Sequence, residues 1–181
     1  MNFLELAVKR QSTRKYATKP VENDALDRCI RAARIAPSAC NAQPWKFIIV
    51  KDPVIKEKVA RATFSKIASF NKFTLEAPIL VAVVMEKPNI MSRFGAVVKD
   101  IDYFLIDIGI AASHFCLQAT EEGLATCMMG WFDEKEIQKT LNIPKNKKIG
   151  LMIALGHEEE GYKYRMKVRK KEEKVVSFDS Y

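Results

Sequence analysis

Positions 36 to 45 read Ala36-Pro37-Ser38-Ala39-Cys40-Asn41-Ala42-Gln43-Pro44-Trp45. Serine, asparagine and glutamine donate and accept hydrogen bonds in fixed directions, which suits a planar, polar ligand. The two prolines force the chain out of any helix and into an open turn, with a large aromatic at the start of the apolar run 47–50. A connecting loop could carry the same residue types, so this segment alone does not decide. A second candidate is the basic stretch Arg10-Gln11-Ser12-Thr13-Arg14-Lys15-Tyr16. A third lies between Tyr162 and Lys174, where seven basic residues (Lys163, Arg165, Lys167, Arg169, Lys170, Lys171 and Lys174) face only Glu172 and Glu173. Clusters of this kind attract anions: nucleic acid, anionic lipid, or the phosphate of a small ligand. Gly123-Leu124-Ala125-Thr126-Cys127-Met128-Met129-Gly130-Trp131-Phe132 mixes glycine, sulfur and aromatics. It reads either as a buried helix-to-strand connection or as a surface laid against a flat ring.

Other chemistries lack their residues. There is no GxGxxG after a strand and no GxxxxGK[ST], so neither a dinucleotide fingerprint nor a P-loop is signalled. His114 and His157 have no metal-ligand spacing with each other or with cysteine. No GxSxG elbow supports serine hydrolysis. Asp100, Asp102 and Asp107 read as readily as a solvated helix face as they do as acids. Cys29, Cys40, Cys116 and Cys127 are far apart and no CxxC pair is present, so nothing demands disulfides; for Cys40 and Cys127 packing is preferred to a thiol mechanism, since no paired base or redox partner is evident. Zinc-finger spacing, RNA-binding aromatics and lysine-rich repeats are absent despite a net charge of +8, which disfavours polynucleotide as partner.

The elements that must hold these residues follow from periodicity. Apolar residues at helical spacing predict helices over 2–9, 22–36, 54–64, 99–122 and 134–141. Strands are expected at 45–50, 77–85 and 149–156; the nearly continuous apolar run 77–85 should be central and buried on both faces. Residues 65–75 read as a loop or broken helix, and 86–96 as a surface loop. The longest helix is apolar around much of its circumference, so it should pack against two neighbours, one of which could be another subunit. Gly109, Ala111, Ala112 and Ser113 would permit close approach there. The tail 174–178 is too detached to pack alone and is expected on a sheet edge, its own or another chain's. Helices and strands in mixed order give an α+β class, and a single domain is expected over residues 1–181. With 48% hydrophobic residues, 181 residues suffice for a real core. No apolar run is long enough to span a bilayer and no signal peptide is evident, so a cytoplasmic location without membrane contact is expected.

Taken in order, these motifs resemble the nitroreductase family of flavin enzymes over nearly the whole chain. The resemblance rests on 10–16, on the 37–45 turn, on Asp107 and Gly109 in the central helix, on 123–132, on Leu155-Gly156 and on Lys167-Val168-Arg169-Lys170. It implies a three-layer fold with a central, mainly antiparallel sheet flanked by helices. It also implies an intertwined homodimer with FMN at the subunit interface. Arg10, Arg14, Lys167 and Arg169 would then hold the phosphate, with Gln11 and Ser12 nearby. Asn41 would approach the polar edge of the flavin, Pro37, Ser38 and Gln43 would line it from the partner subunit, and Met129-Gly130 would lie near its reactive nitrogen. By the same resemblance, NADH or NADPH would donate hydride. Nitroaromatics, quinones or related acceptors would take the electrons in ping-pong turnover, and no side chain would serve as nucleophile. The Met128-Met129 pair and the compact chain suggest loose acceptor selectivity. A specialised reductase, a dehalogenase-like enzyme or dehydrogenase on the same scaffold, and a flavin-storage protein are the alternatives.

Overall fold

The computed structural model describes residues 1–86 and 101–181. Four strands form one sheet in the order β1-β2-β4-β3: β1 is Trp45–Val50, β2 Ile79–Met85, β3 Ala125–Met129 and β4 Lys148–Gly156. All neighbouring pairs are antiparallel. A single parallel bridge, Ser12 to Thr126, adds the N-terminal segment beyond β3 and makes the sheet mixed at that edge. The helices are α1 (Phe3–Lys9), α2 (Asn23–Arg34), α3 (Pro53–Arg61), α4 (Tyr103–Glu121) and α5 (Glu134–Thr140).

Strand alternation divides the core into two layers. Ile79, Val81 and Val83 of β2 face α2 and α4, meeting Leu26, Cys29, Ile108, Ala112, Phe115 and Cys116. Leu80, Ala82 and Val84 face the other way, toward Val59 and Ala60 of α3 and Ile137 of α5. The expectation of a central strand buried on both faces is met: every residue of β2 before Met85 is buried. Its pairing with β4 slips between Val83 and Val84, where Gly150 is passed over in the register. Phe115 is fully buried and stacks on Phe47 at 5.9 Å, locking α4 to β1.

Local chemistry sets the ends. Asn2 and Glu5 form a capping box that starts α1, and Asp52 caps α3 with Pro53 in its first turn. Asp133 caps α5 by accepting from the Glu136 N–H. The helix expected from position 99 is present from Tyr103; residues 87–100, and with them most of the expected surface loop, lie outside the described residues. The stretch 65–75 is indeed no α-helix, and ends in a short 3-10 turn at Lys72–Leu75.

One segment differs from expectation. Residues 125–129 do not form a connection but a strand, β3, paired residue for residue with Gly156 back to Met152. Of Ala-Thr-Cys-Met-Met only Thr126 is a β-branched strand former; the pairing partner supplies the conformation. The tail has a 3-10 turn at Glu172–Lys174 and, among the described residues, pairs with no strand of its own chain.

Candidate functional site

The N-terminal basic segment is fixed by backbone pairing at the β3 edge. Arg10 terminates α1, its N–H donating to the Leu6 carbonyl at 2.9 Å. The chain then passes β3, where the Thr13 N–H donates to the Thr126 carbonyl at 2.9 Å. Thr13 and Tyr16 are buried, and the Tyr16 hydroxyl donates to the carbonyls of Thr13 (3.0 Å) and Ala154 (3.4 Å). This leaves Gln11, Ser12 and Arg14 half-buried. The Arg14 guanidinium donates to the Ser12 carbonyl at 3.2 Å and lies 5.9 Å from the centre of the Phe73 ring, a cation–π arrangement that limits its rotamers.

The C-terminal basic segment meets this one. The Arg165 N–H donates to Gln11 Oε1 at 3.4 Å, and Lys167 Nζ donates to the carbonyls of Ala7, Val8 and Arg10 at 2.8, 2.5 and 2.6 Å. Arg169 is exposed and donates to its neighbour Val168. Gln11 Nε2 is buried without a hydrogen-bond partner. Among the described residues, none of Arg10, Arg14, Arg165, Lys167 or Arg169 is paired with a carboxylate. Their field is felt at Cys127 on β3. Burial pushes that thiol up, while Arg14, the Ser12 hydroxyl, Arg10 and Arg165 pull the other way.

The second part of the site is the turn after α2. Cys40, Asn41 and Gln43 all have left-handed backbones (φ 51°, 50° and 44°), a costly conformation for three non-glycine residues. Polar bonds hold it. The Asn41 N–H donates to the Ser38 carbonyl and the Gln43 N–H to Ser38 Oγ, both at 3.0 Å. Gln43 Nε2 donates to Asn41 Oδ1 at 3.0 Å. Asp107 of α4, 4% exposed, accepts from the Ala39 N–H at 3.0 Å through Oδ1, while its Oδ2 is buried and unpartnered. Pro37, Asn41 and Gln43 are exposed and Ser38 is half-buried. Among the described residues the bonds of Asn41 and Gln43 stay within the turn and none reaches the basic cluster.

At the end of β3, Met129 is buried in the core whereas Met128 is 37% exposed and Gly130 lies open. A Cβ on Gly130 would meet no atom within 4 Å. Asn71 Nδ2 donates to the Trp131 carbonyl at 3.0 Å and to the Thr63 carbonyl at 3.2 Å, tying this exit to the 3-10 turn. Sequence reasoning missed Asn71, as well as Tyr162, whose hydroxyl accepts from the Arg14 N–H at 3.3 Å. Neither stands in a recognisable spacing; only the fold brings them in.

Residues 7–157 match the sequence pattern described as the Nitroreductase family. The chain belongs to the nitroreductase family. Among solved structures it is 31% identical to a nitroreductase family protein from Clostridium novyi NT, covering 88% of this chain and 87% of the other, with a TM-score of 0.77. It is 26% identical to an FMN-dependent nitroreductase from Clostridium difficile R20291, over 99% and 100% of the two chains, with a TM-score of 0.79. A curated relative, an NADH dehydrogenase of Thermus thermophilus, is 26% identical over 86% of this chain and 87% of its own. The nitroreductase match includes the 10–14 segment, the turn, α4 and β3; Lys167 and Arg169 lie beyond it.

Burial raises the thiols of Cys29, to about 12, and Cys116, to about 11, so both are packing groups at neutral pH. Among the described residues no group of three or more His, Cys, Asp or Glu side chains is placed to hold a metal ion, and no helix is long and apolar enough to cross a membrane.

Proposed function

We infer that this chain is an FMN-dependent oxidoreductase that takes hydride from NADH or NADPH and reduces nitroaromatic, quinone or related acceptors. One observation carries the reading: the N- and C-terminal basic segments meet where the Arg165 N–H and Lys167 Nζ bond the Gln11 side chain and the Arg10 carbonyl, beside a buried and unpartnered Gln11 amide, and none of Arg10, Arg14, Arg165, Lys167 or Arg169 has a carboxylate partner among the described residues. Guanidinium groups gathered at one place repel one another unless an anion is present, and a phosphate dianion accepts the forked, charge-assisted bonds they offer. The Gln11 amide and Ser12 hydroxyl add neutral donors suited to the phosphate or the polyol beside it.

Bound FMN would supply the two-electron chemistry. The chain's own residues supply binding, orientation and access. The strained turn presents the Asn41 and Gln43 amides at the surface, where a flavin edge could accept from or donate to them. Gly130 leaves the end of β3 bare, so a backbone amide can approach a ring without a side chain intervening. Met128 and Trp131 are the exposed apolar groups beside it, and a soft thioether next to an indole favours flat acceptors with little demand on shape.

Among the described residues neither Asn41 nor Gln43 bonds to the basic cluster, which supports a site completed by a second copy. So does the surface: Phe3, Leu4 and Val8 of α1 and Leu105 and Ile106 of α4 are between 48% and 72% exposed. A Cβ at Gly109 would meet nothing within 4 Å in this chain, leaving room for a neighbour's backbone. We therefore propose a homodimer with the Pro37, Ser38, Asn41 and Gln43 turn of one subunit facing the Arg10–Arg14 cluster of the other.

The test is an anaerobic visible spectrum of the FMN-reconstituted protein on addition of NADH or NADPH. Stoichiometric FMN binding followed by rapid bleaching, and parallel-line kinetics with a quinone, are expected. Binding without bleaching by either nicotinamide would favour flavin storage. Folded protein that binds no FMN would overturn the reading.

A further inference from the structure

Asp107 stands in α4 where packing gives a polar side chain no reason to be. Its buried neighbours along that helix are Ile108, Ala111, Ala112 and Phe115. Placing a carboxyl among them costs free energy unless each oxygen finds a donor. Half of that requirement is met: Oδ1 accepts from the Ala39 N–H at 3.0 Å, while Oδ2 is buried without a partner. The bond that is made reaches out of the helix to a segment poorly able to hold itself. None of the residues Ala39–Asn41 is buried, so no apolar anchor fixes them. Cys40, Asn41 and Gln43 are nevertheless left-handed. The bonds from the Asn41 and Gln43 N–H groups to Ser38 close the turn on itself, and they move with it. Asp107, by contrast, is carried by a 19-residue helix whose buried face packs on β2 and α2.

We propose that Asp107 is a positioning residue: it pins the Ala39 N–H to the core, so that the turn presents the Asn41 and Gln43 amides to the flavin ring in a fixed direction. The ring as their target rests on the functional reading above; the anchoring of the turn does not. A bond at Ala39 acts on the residues after it because the 3-10 turn starts there, the Ala39 carbonyl accepting from the Ala42 N–H at 3.0 Å. Left-handed backbones at non-glycine residues persist where the surroundings over-determine them. Here the two bonds to Ser38 set the shape of the turn, and the bond to Asp107 sets its place on the protein. The unpartnered Oδ2 is the stability cost of that arrangement. An apolar side chain of the same branching would remove that cost, but it would leave the Ala39 N–H with nothing to donate to.

Two variants separate the bond from the bulk of the side chain. Asp107→Leu keeps the branching and loses both acceptors, whereas Asp107→Asn keeps an acceptor in the place of Oδ1. In the apoprotein of Asp107→Leu the Ala39 N–H should exchange about tenfold faster or more. Melting should stay within a few degrees of wild type, because one orphan group is exchanged for another. Affinities for FMN and riboflavin should fall together by about tenfold, since the turn meets the ring that both flavins share. Asp107→Asn should recover both affinities to within about threefold of wild type. A leucine variant that binds both flavins like wild type overturns the proposal. So does an asparagine variant that fails as badly as leucine while Ala39 stays protected. A merely structural role would lower melting and release amides along α4, with flavin affinity of the folded protein intact, and that result overturns it too. Should Asp107→Leu not fold, hydrogen exchange of the wild-type protein decides. The anchor requires Ala39 to exchange slowly in the apoprotein and equally slowly with FMN; protection that appears only on adding FMN overturns it. If the wild type binds neither flavin, the functional reading fails on its own, while exchange at Ala39 still reports on the anchor.

Discussion

Arg14 shows how single residues divide the work of this site. Its backbone N–H is held by the Tyr162 hydroxyl, its guanidinium by the Ser12 carbonyl and the face of Phe73. Those contacts orient the fork without neutralising it, so an arriving anion meets a charge already in place. Arg14→Met should weaken FMN binding by about 10- to 100-fold, the range expected for losing a charge-assisted hydrogen bond, with apoprotein melting little changed. Fluorescence quenching titrations measure it, and an unaltered dissociation constant would remove Arg14 from the site. Glu22 makes a different statement. Its own backbone N–H, then Lys19, with a smaller part from His157, hold the carboxyl down at about 2 from an ordinary 4.5. The folded value lies below the unfolded one, so the charged carboxylate stabilises the fold above about pH 5. That contribution drains away as pH falls through 4.5 toward 2. Glu22→Gln should therefore lower the melting temperature at pH 7 and converge with wild type near pH 2, with the size of the gap reduced by solvent screening at this exposed position. A gap that stayed constant with pH would assign the loss to something other than charge. Residue types in the motifs were legible; partners were not. Lys167 reads in sequence as one more cation beside Arg169, and only the fold shows its ammonium turned onto helix carbonyls.

Elements were legible where the pattern was physical and local. The apolar runs that end at Pro53 and begin after Pro78 become β1 and β2, because proline punctuates and branched side chains fill both faces of a buried strand. β3 was illegible for the converse reason. Its five residues have no alternation and little β-branching, and they become a strand because β4 offers a ladder on that side. The consequence for the site is direct: strand geometry sends Met129 into the core and Met128 outward, so of two methionines that sequence reads as one soft lining, only one is available. At the far end of that same pairing stands Gly156. A Cβ there would lie 2.5 Å from Pro78 Cδ and 3.0 Å from Tyr16 Cδ1. The proline ring cannot swing aside, and Tyr16 is held by two carbonyls. Gly156→Ala should destabilise by about 1–3 kcal/mol, as overpacking in a closed core does. Because Tyr16 anchors the basic segment, FMN affinity should fall with it. Urea unfolding measures the first and a flavin titration the second; a stable variant with intact binding would mean that Tyr16 does not transmit the strain.

At the scale of the whole molecule, the two core layers account for the buried faces of the sheet but leave much apolar surface without cover. Met166, Val168, Val175 and Phe178 of the tail are between 69% and 86% exposed, in company with α1 and the first turns of α4. Single exposed hydrophobics are ordinary; a set this large is what the proposed homodimer would cover. Met166 and Val168 alternate in sequence with Arg165, Lys167 and Arg169, and among the described residues the cluster has no bond to Asn41 or Gln43. A second copy would cover the apolar surface and bring a turn to the cluster in one step, which makes assembly and cofactor binding a single linked equilibrium. Removing residues 174–181 takes away Val175, Val176 and Phe178 but none of the basic residues proposed to meet the phosphate. If the tail wraps the partner, the shortened protein should shift toward monomer in light scattering, at concentrations where the full chain is dimeric. FMN should bind more weakly to it even though every phosphate-facing guanidinium remains, and raising the protein concentration should restore part of the affinity. Retention of both the dimer and its flavin affinity after truncation would confine the interface to α1 and α4. A dimer that persisted while flavin binding was lost would place the tail in the site itself.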